Sequence, residues 1–295
     1  MSAVAAALPS RVVVLGLGYA GRHVAALLQS QGVACSGTVR DPAAAPDDGV
    51  RRYRLVGGDR GGAEPGVTEA MRSAEAVICT VPPDDEGDPA LRLLSAALRN
   101  SPALRWVGYL SSTAVYADRD GGWVDETSAA DATDATARRR LLAESQWREL
   151  ARERGMASAV FRLPGLYGRG RNALVQLAEG RARHVVKPGL VFNRLHVEDL
   201  AAVVAAAMRR PVSDALYLPC DDAPAPPQEV LAYAAGLGGF AMPPALAWDD
   251  PALSPALRRF HAGCKRIDGR ATREALGWTP RFPTYREGLL DAFNA

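Results

Sequence analysis

Residues 11–21 read RVVVLGLGYAG, and this stretch decides the fold. Val12, Val13, Val14 and Leu15 form a continuous apolar, mostly β-branched run, as in a strand buried on both faces. Gly16-Leu17-Gly18-Tyr19-Ala20-Gly21 follows at once with G-x-G-x-x-G spacing. Behind it, Val24, Leu27 and Leu28 recur at helical spacing, and Gly32 stands where a left-handed cap ends a helix. Ala34–Arg40 is the next strand, which completes one βαβ unit. In that setting Gly16 permits the tight turn, Gly18 lets backbone approach a pyrophosphate, and Gly21 lets helix and strand pack closely. The first helical turn offers unpaired N–H groups and the positive end of its dipole to phosphate. Gly16, Gly18, Tyr19, Ala20 and Gly21 are therefore the candidate dinucleotide contacts.

The alternation continues outward. Arg52–Val56 and Ala76–Val81 read as strands, the latter closed by Pro82-Pro83. Leu91, Leu94 and Leu98 mark a helix, Arg105–Leu110 a strand, Ala137–Glu153 a long helix and Ser158–Leu163 a further strand. This predicts an α/β fold: a Rossmann-type doubly wound parallel sheet followed by a smaller C-terminal lobe. Residues 11–165 form the dinucleotide-binding domain in this reading. Residues 166–295 form mostly the lobe, with parts at about 195–220 returning to the first domain. Asp118–Thr136, Pro219–Pro227 and Pro243–Pro255 read as irregular.

Composition narrows the function classes. The 295 residues are 48% hydrophobic and 23% charged, which is ordinary globular chemistry. Thirty-five basic against 33 acidic residues leave a net charge of +2, without the basic footprint that nucleic acid requires. Cys35, Cys79, Cys220 and Cys264 lack metal-ligand spacing, and His196 and His261 complete no zinc pattern. Free thiols in a reducing compartment, and no metal, are the expectation. MSAVAAALPSR is too short for a signal-peptide core, and no stretch reaches about 18 uninterrupted apolar residues. A soluble cytoplasmic protein with no membrane partner is expected.

The second strand ends in Thr38-Val39-Arg40-Asp41. A guanidinium at Arg40 suits a 2′-phosphate, which favours NADP. Asp41 leaves NAD open, or starts a turn with Pro42. Asp59 is a candidate adenine contact or a plain loop aspartate. Pro82 and Pro164, each directly after a strand, complete the cofactor candidates.

GLGYAGR, YLSSTAVY, FRLPGLYGRGR, RLHVEDLA and RFPTYREGL, in this order from Arg11 to about Leu290, resemble extended or atypical short-chain dehydrogenase/reductases of the NAD-dependent epimerase/dehydratase group. The resemblance implies a Rossmann-type doubly wound domain for the dinucleotide with a small C-terminal substrate lobe, a small-molecule substrate, a homodimer through two long helices, and a catalytic Ser or Thr, Tyr and Lys. Ser112 maps onto the hydroxyl position, with Thr113 beside it as a substitute or substrate contact; a capping serine is the plainer alternative. The Tyr and Lys do not map: Thr136 and Arg140 stand in their places. That departure matters, because the family tyrosine acts as an acid/base with a lysine lowering its pKa. Arginine can hold a nicotinamide ribose without being equivalent to lysine. Tyr116 is the replacement acid to consider, and Tyr167 a cleft residue; packing is the alternative for both. Arg194 occupies a segment where the family grips substrate phosphate. His196 is a substrate contact or a structural histidine, and Asp199 a helix-terminal carboxylate. Arg169 and Arg171 flank Gly170 and suit an anionic substrate, or are solvated.

The expected function is an NAD(P)-dependent oxidoreductase or epimerase-like enzyme with a degenerate Tyr/Lys pair. The alternatives are a catalytically inactive dinucleotide-binding sensor, scaffold or accessory protein, and a non-redox enzyme on the same fold.

Overall fold

The computed structural model describes residues 6–44, 48–57 and 61–294, so Asp59 lies outside the described residues. The N-terminal half runs β1 (Arg11–Leu15), α1 (Tyr19–Ser30), β2 (Ala34–Val39), β3 (Arg51–Val56), β4 (Gly62–Ala63), α2 (Pro65–Ser73), β5 (Ala76–Cys79), α3 (Pro89–Asn100), β6 (Trp106–Ser112), β7 (Trp123–Val124), α4 (Ala135–Arg154) and β8 (Ala157–Leu163). It continues through β9 (Gly165–Tyr167), α5 (Ala173–Ala178), β10 (His184–Val186), β11 (Arg194–His196), α6 (Val197–Arg209) and β12 (Ala215–Tyr217). The last part is α7 (Pro227–Gly238), β13 (Ala245–Ala247), α8 (Pro255–Ala262), β14 (Arg266–Ile267), α9 (Arg270–Leu276) and α10 (Tyr285–Phe293).

Eight strands form one sheet in the order β12-β8-β6-β5-β1-β2-β3-β4, parallel except for β4. Alternation along β1 supplies both faces. Val12 and Val14 pack with Val24 and Leu28 of α1 and Leu200, Val203 and Val204 of α6. Val13 and Leu15 pack with Met71 of α2, Leu94 of α3 and Trp147 and Leu150 of α4. Each fully buried side chain of this size stabilises by about 1.5–3 kcal/mol relative to exposure. The sheet is thus a Rossmann-type doubly wound layer. Its order reverses at β1, whose neighbours are β2 and β5, and such a switch point opens a crevice at the strand C-termini.

A smaller cluster of Tyr167, Leu174, Val230, Ala234, Tyr285 and Leu289 joins α5, α7 and α10. Two segments expected to be irregular hold short strands: β7 pairs with β14, and β13 pairs with β10. Both pairings are long-range, and strands this short leave no periodicity to read. No helix of the described residues is long and apolar enough to cross a membrane. Among the described residues no group of three or more His, Cys, Asp or Glu could hold a metal ion, and the four cysteines are free.

Candidate functional site

The glycine turn sits at the switch point, and each glycine has its own reason. Gly16 has φ +93°, and a Cβ there would lie 2.6 Å from Thr80 Oγ1. A Cβ on Gly21 would lie 2.3 Å from Gly16 O, so helix and turn touch backbone to backbone. Gly18, the N-cap of α1, is different: a Cβ there meets nothing within 4 Å. The turn is pinned from both sides. Thr38 Oγ1 accepts from Gly16 N at 2.9 Å, Thr38 O accepts from Leu17 N at 2.7 Å, and Thr80 Oγ1 donates to Gly16 O at 2.5 Å. These two threonines were not singled out in the sequence. Thr38 is buried inside β2 and Thr80 follows β5, so only the folded sheet brings them to the turn. Tyr19, Ala20 and Gly21 open α1 directly after the N-cap Gly18, which makes no side-chain cap, and the first N–H groups of a helix have no intrahelical partner. The open space at Gly18 and those donors fit a pyrophosphate.

Arg40 lies exposed just beyond β2. Asp41 Oδ1 accepts from Ala43 N at 3.0 Å, which ties that carboxylate to a turn. Pro82 is exposed beyond β5, and Pro164 is half-buried between β8 and β9.

At the end of β6, Ser112 Oγ accepts from Ala114 N at 3.1 Å, capping a single 3₁₀ turn, Thr113–Val115. Its hydroxyl proton is not used by that bond. Thr113 Oγ1 lies 3.4 Å from Leu163 O, a long contact. Thr136 is exposed in the first turn of α4. Arg140 reaches β6, where Nη1 donates to Leu110 O at 3.1 Å and to the Tyr109 hydroxyl at 3.3 Å.

Tyr116 departs from expectation. It is 1% exposed, its hydroxyl donates to Asp125 O at 3.1 Å and accepts from Arg162 Nη1 at 3.0 Å. Burial raises its phenol, opposed by the Arg162 guanidinium. A hydroxyl held this way does not serve as a cleft acid. It belongs to a buried network that the sequence reading missed. Arg162 makes a double contact with Glu144, its Nη2 at 2.8 Å from Oε2, and Ser111 Oγ donates to Glu144 Oε1 at 2.5 Å. A lone arginine inside the apolar run AVFRL was the available signal, because a buried charge demands a partner.

The lobe residues divide. Tyr167, expected at the substrate, is packed into the lobe cluster. Its hydroxyl donates to Thr284 O at 3.2 Å, and a Cβ on Gly288 would lie 2.2 Å from it. Burial, with Asp221 and Asp199 nearby, raises its phenol far out of working range. His196 is likewise interior rather than cleft-facing. It is 1% exposed, its Nδ1 accepts from Glu198 N at 3.3 Å at the start of α6, and its ring packs 3.9 Å from that of Phe282. Burial lowers its pKa to about 4, so it is neutral. Its Nε2 and the Tyr19 hydroxyl have no hydrogen-bond partner among the described residues, and both flank Gly168.

Arg194 is half-buried and donates to Phe192 O at 3.0 Å and Ala225 O at 3.1 Å. Arg169 is exposed and paired with Asp291 on α10 at 3.0 Å. Asp199 caps no turn of its own helix; it accepts from Arg281 N at 2.7 Å and Phe282 N at 3.0 Å, binding the C-terminal segment to α6. Asp221 is 2% exposed, with Oδ1 accepting from Arg194 N at 2.9 Å and Oδ2 unpartnered among the described residues; burial raises it to about 7. It lines a cleft of about 520 Å³ with Trp123, Asn193, Asp268 and Arg273.

The doubly wound sheet, the glycine turn at its switch point and the added lobe make up a Rossmann-type fold. Solved structures agree. One is 39% identical, covers 96% of this chain and 98% of its own with TM-score 0.85, and is a functionally unknown conserved protein from Silicibacter pomeroyi DSS. The chain belongs to the family of that Silicibacter protein. A Methylobacillus flagellatus structure, assigned by name only to the NAD-dependent epimerase/dehydratases, is 24% identical over 97% of this chain and 99% of its own, with TM-score 0.69. MoeE5, solved with UDP-glucuronic acid and NAD, is 20% identical over 96% and 98%, with TM-score 0.76. No family model matches the chain. No curated protein matches it.

Proposed function

We propose that the protein is a nicotinamide-dinucleotide-dependent enzyme of the oxidoreductase or epimerase type, acting on a small anionic substrate and favouring NADP(H) over NAD(H). The observation that carries this reading is the open space over Gly18, set between two glycines where any side chain would collide. The NAD complex of MoeE5, on the same fold, supports it. A bound dinucleotide would supply hydride transfer. The chain's own groups then divide the work. The N–H groups of Tyr19, Ala20 and Gly21 receive the pyrophosphate, and Arg40 receives a 2′-phosphate while Asp41 is held in its turn. Ser112, with its proton free of the cap, donates to a substrate oxygen at the end of β6. Arg140 holds β6 against α4 and contributes positive charge beneath the cleft. A homodimer through α3 and α4, which expose Leu93 and Leu142, belongs to the same reading.

The test is calorimetric titration with NADP⁺ and NAD⁺, followed by turnover of NADPH with carbonyl substrates, sugar nucleotides among them. Binding without turnover favours a second reading, a dinucleotide-binding accessory protein. Its observation is that Thr136 replaces the family tyrosine while the hydroxyls of Tyr116 and Tyr167 are both committed to backbone carbonyls. Activity appearing only in the double variant Thr136→Tyr with Arg140→Lys would decide for it.

A further inference from the structure

The turn at 168–171 carries lobe chemistry to the mouth of the glycine turn. Gly168 N donates to Arg171 O at 3.0 Å, Arg171 N donates to Gly168 O at 3.1 Å, and Asn172 Nδ2 donates to Gly168 O at 2.9 Å. Gly170, at φ +72°, allows so tight a closure. The closed turn sends its two arginines different ways. Arg169 pairs with Asp291. Arg171 is exposed and lies with its guanidinium 5.2 Å from the centre of the Tyr19 ring.

Tyr19 is the first residue of α1, directly after the open position at Gly18. Its ring is held on two sides. The His23 ring meets it edge-on at 5.1 Å, and its hydroxyl lies against Gly168, 2.9 Å from where a Cβ would stand. Gly168 has φ +154° and cannot carry a side chain without striking Tyr19, His196 and Val197. The platform is therefore fixed, and a guanidinium stacked on it keeps its N–H edge for an anion.

We propose that Arg171 clamps the pyrophosphate of a dinucleotide seated over Gly18, with Tyr19 as its platform. The proposal rests on the dinucleotide reading above. Helix dipole, backbone N–H groups and a guanidinium then converge on one doubly charged group from two separate parts of the fold. Because Arg171 belongs to the lobe, binding the cofactor also ties the lobe turn to α1.

The experiment is titration of NADP⁺ into the unmodified protein, Arg171→Ala, Arg171→Lys, Tyr19→Phe and Tyr19→Leu. 2′-AMP, which lacks the pyrophosphate, is the companion probe. Arg171→Ala should weaken NADP⁺ about tenfold, the low end for one charge-assisted contact. It should also flatten the salt dependence of binding and leave 2′-AMP unchanged. Arg171→Lys should recover part of the loss. Tyr19→Phe keeps the ring and should lose less affinity than Tyr19→Leu, which should approach Arg171→Ala. Equal NADP⁺ affinity in Arg171→Ala overturns the clamp and leaves the dinucleotide reading standing. An equal loss for 2′-AMP overturns it too, since charge at a distance would then explain the effect. Failure of the unmodified protein to bind NADP⁺ or NAD⁺ overturns the dinucleotide reading and the clamp with it.

Discussion

Replacing Gly18 by valine separates ligand binding from folding more cleanly than any other change in the turn. The backbone there has φ −76° and ψ −159°, an extended conformation open to a β-branched residue. The new Cβ meets no atom within 4 Å. Losing a glycine from the unfolded chain stabilises by about 0.4–1 kcal/mol, and losing a tolerable N-cap costs about the same. The melting temperature should therefore move by no more than roughly 2–4 °C. Binding is another matter, because the valine branches would fill the space through which phosphate reaches the first N–H groups of α1. Two charge-assisted contacts at about 1.5–3 kcal/mol each correspond to a loss of roughly 10²–10⁴ in dinucleotide affinity. Calorimetric titration alongside thermal melts measures both quantities. Gly21→Val is the contrast: its Cβ would lie 2.3 Å from Gly16 O, so it should damage the fold itself. Full affinity in Gly18→Val with an unchanged melt would refute the reasoning.

Three further expectations follow from single residues. Arg40→Ala should erase most of a ten- to hundredfold preference for NADP(H), about the worth of one charge-assisted contact; equal NADP⁺ and NAD⁺ affinities in the unmodified protein would contradict it. If turnover is found, Ser112→Ala should lower kcat by roughly 10²–10⁴, whereas exposed Thr136→Ala should do little; equal damage from both would remove Ser112 from its role. Asp221 has a folded pKa raised to about 7, so the folded state holds a proton that the unfolded state releases near pH 4, and stability falls as pH rises between those values. Asp221→Asn should remove that decline, on the order of 2–4 kcal/mol, in denaturant titrations at pH 5 and pH 8; parallel curves for the two proteins would count against it.

The parts legible in the sequence are those governed by short-range rules. RVVVLGLGYAG carries its strand, turn and helix in consecutive residues, and sterics assign a separate reason to each glycine. What escaped notice depends on contacts distant along the chain. Thr38 and Thr80 flank the turn only because β2 and β5 lie on either side of β1. Tyr116 looked like an acid beside Ser112, yet the partner that claims its hydroxyl, Arg162, is a strand away. Tyr167 stands next to a glycine-rich loop, but the residue that encloses it is Gly288 on α10. In each case the local pattern reports a polar tip, and only packing decides whether that tip meets solvent or a carbonyl.

The edge strand β12 has a consequence for how the chain comes to be folded. It pairs Ala215, Leu216 and Tyr217 with Ala159, Val160 and Phe161 of β8, and α6, which precedes it, covers one face of β1 beside α1. A nascent chain that has emerged only as far as β8 therefore carries an unpaired strand edge and a bare apolar sheet face, the conditions that invite wrong pairing with a neighbour. Closure waits until Tyr217 has left the ribosome, by which time the lobe's first strand, β9, and helix α5 are already synthesised. The C-terminal residues Arg281 and Phe282 then latch onto Asp199 at the start of α6. Sheet and lobe are thus interleaved in time as well as in space, and neither is a piece that can be cut away at a single point of the chain.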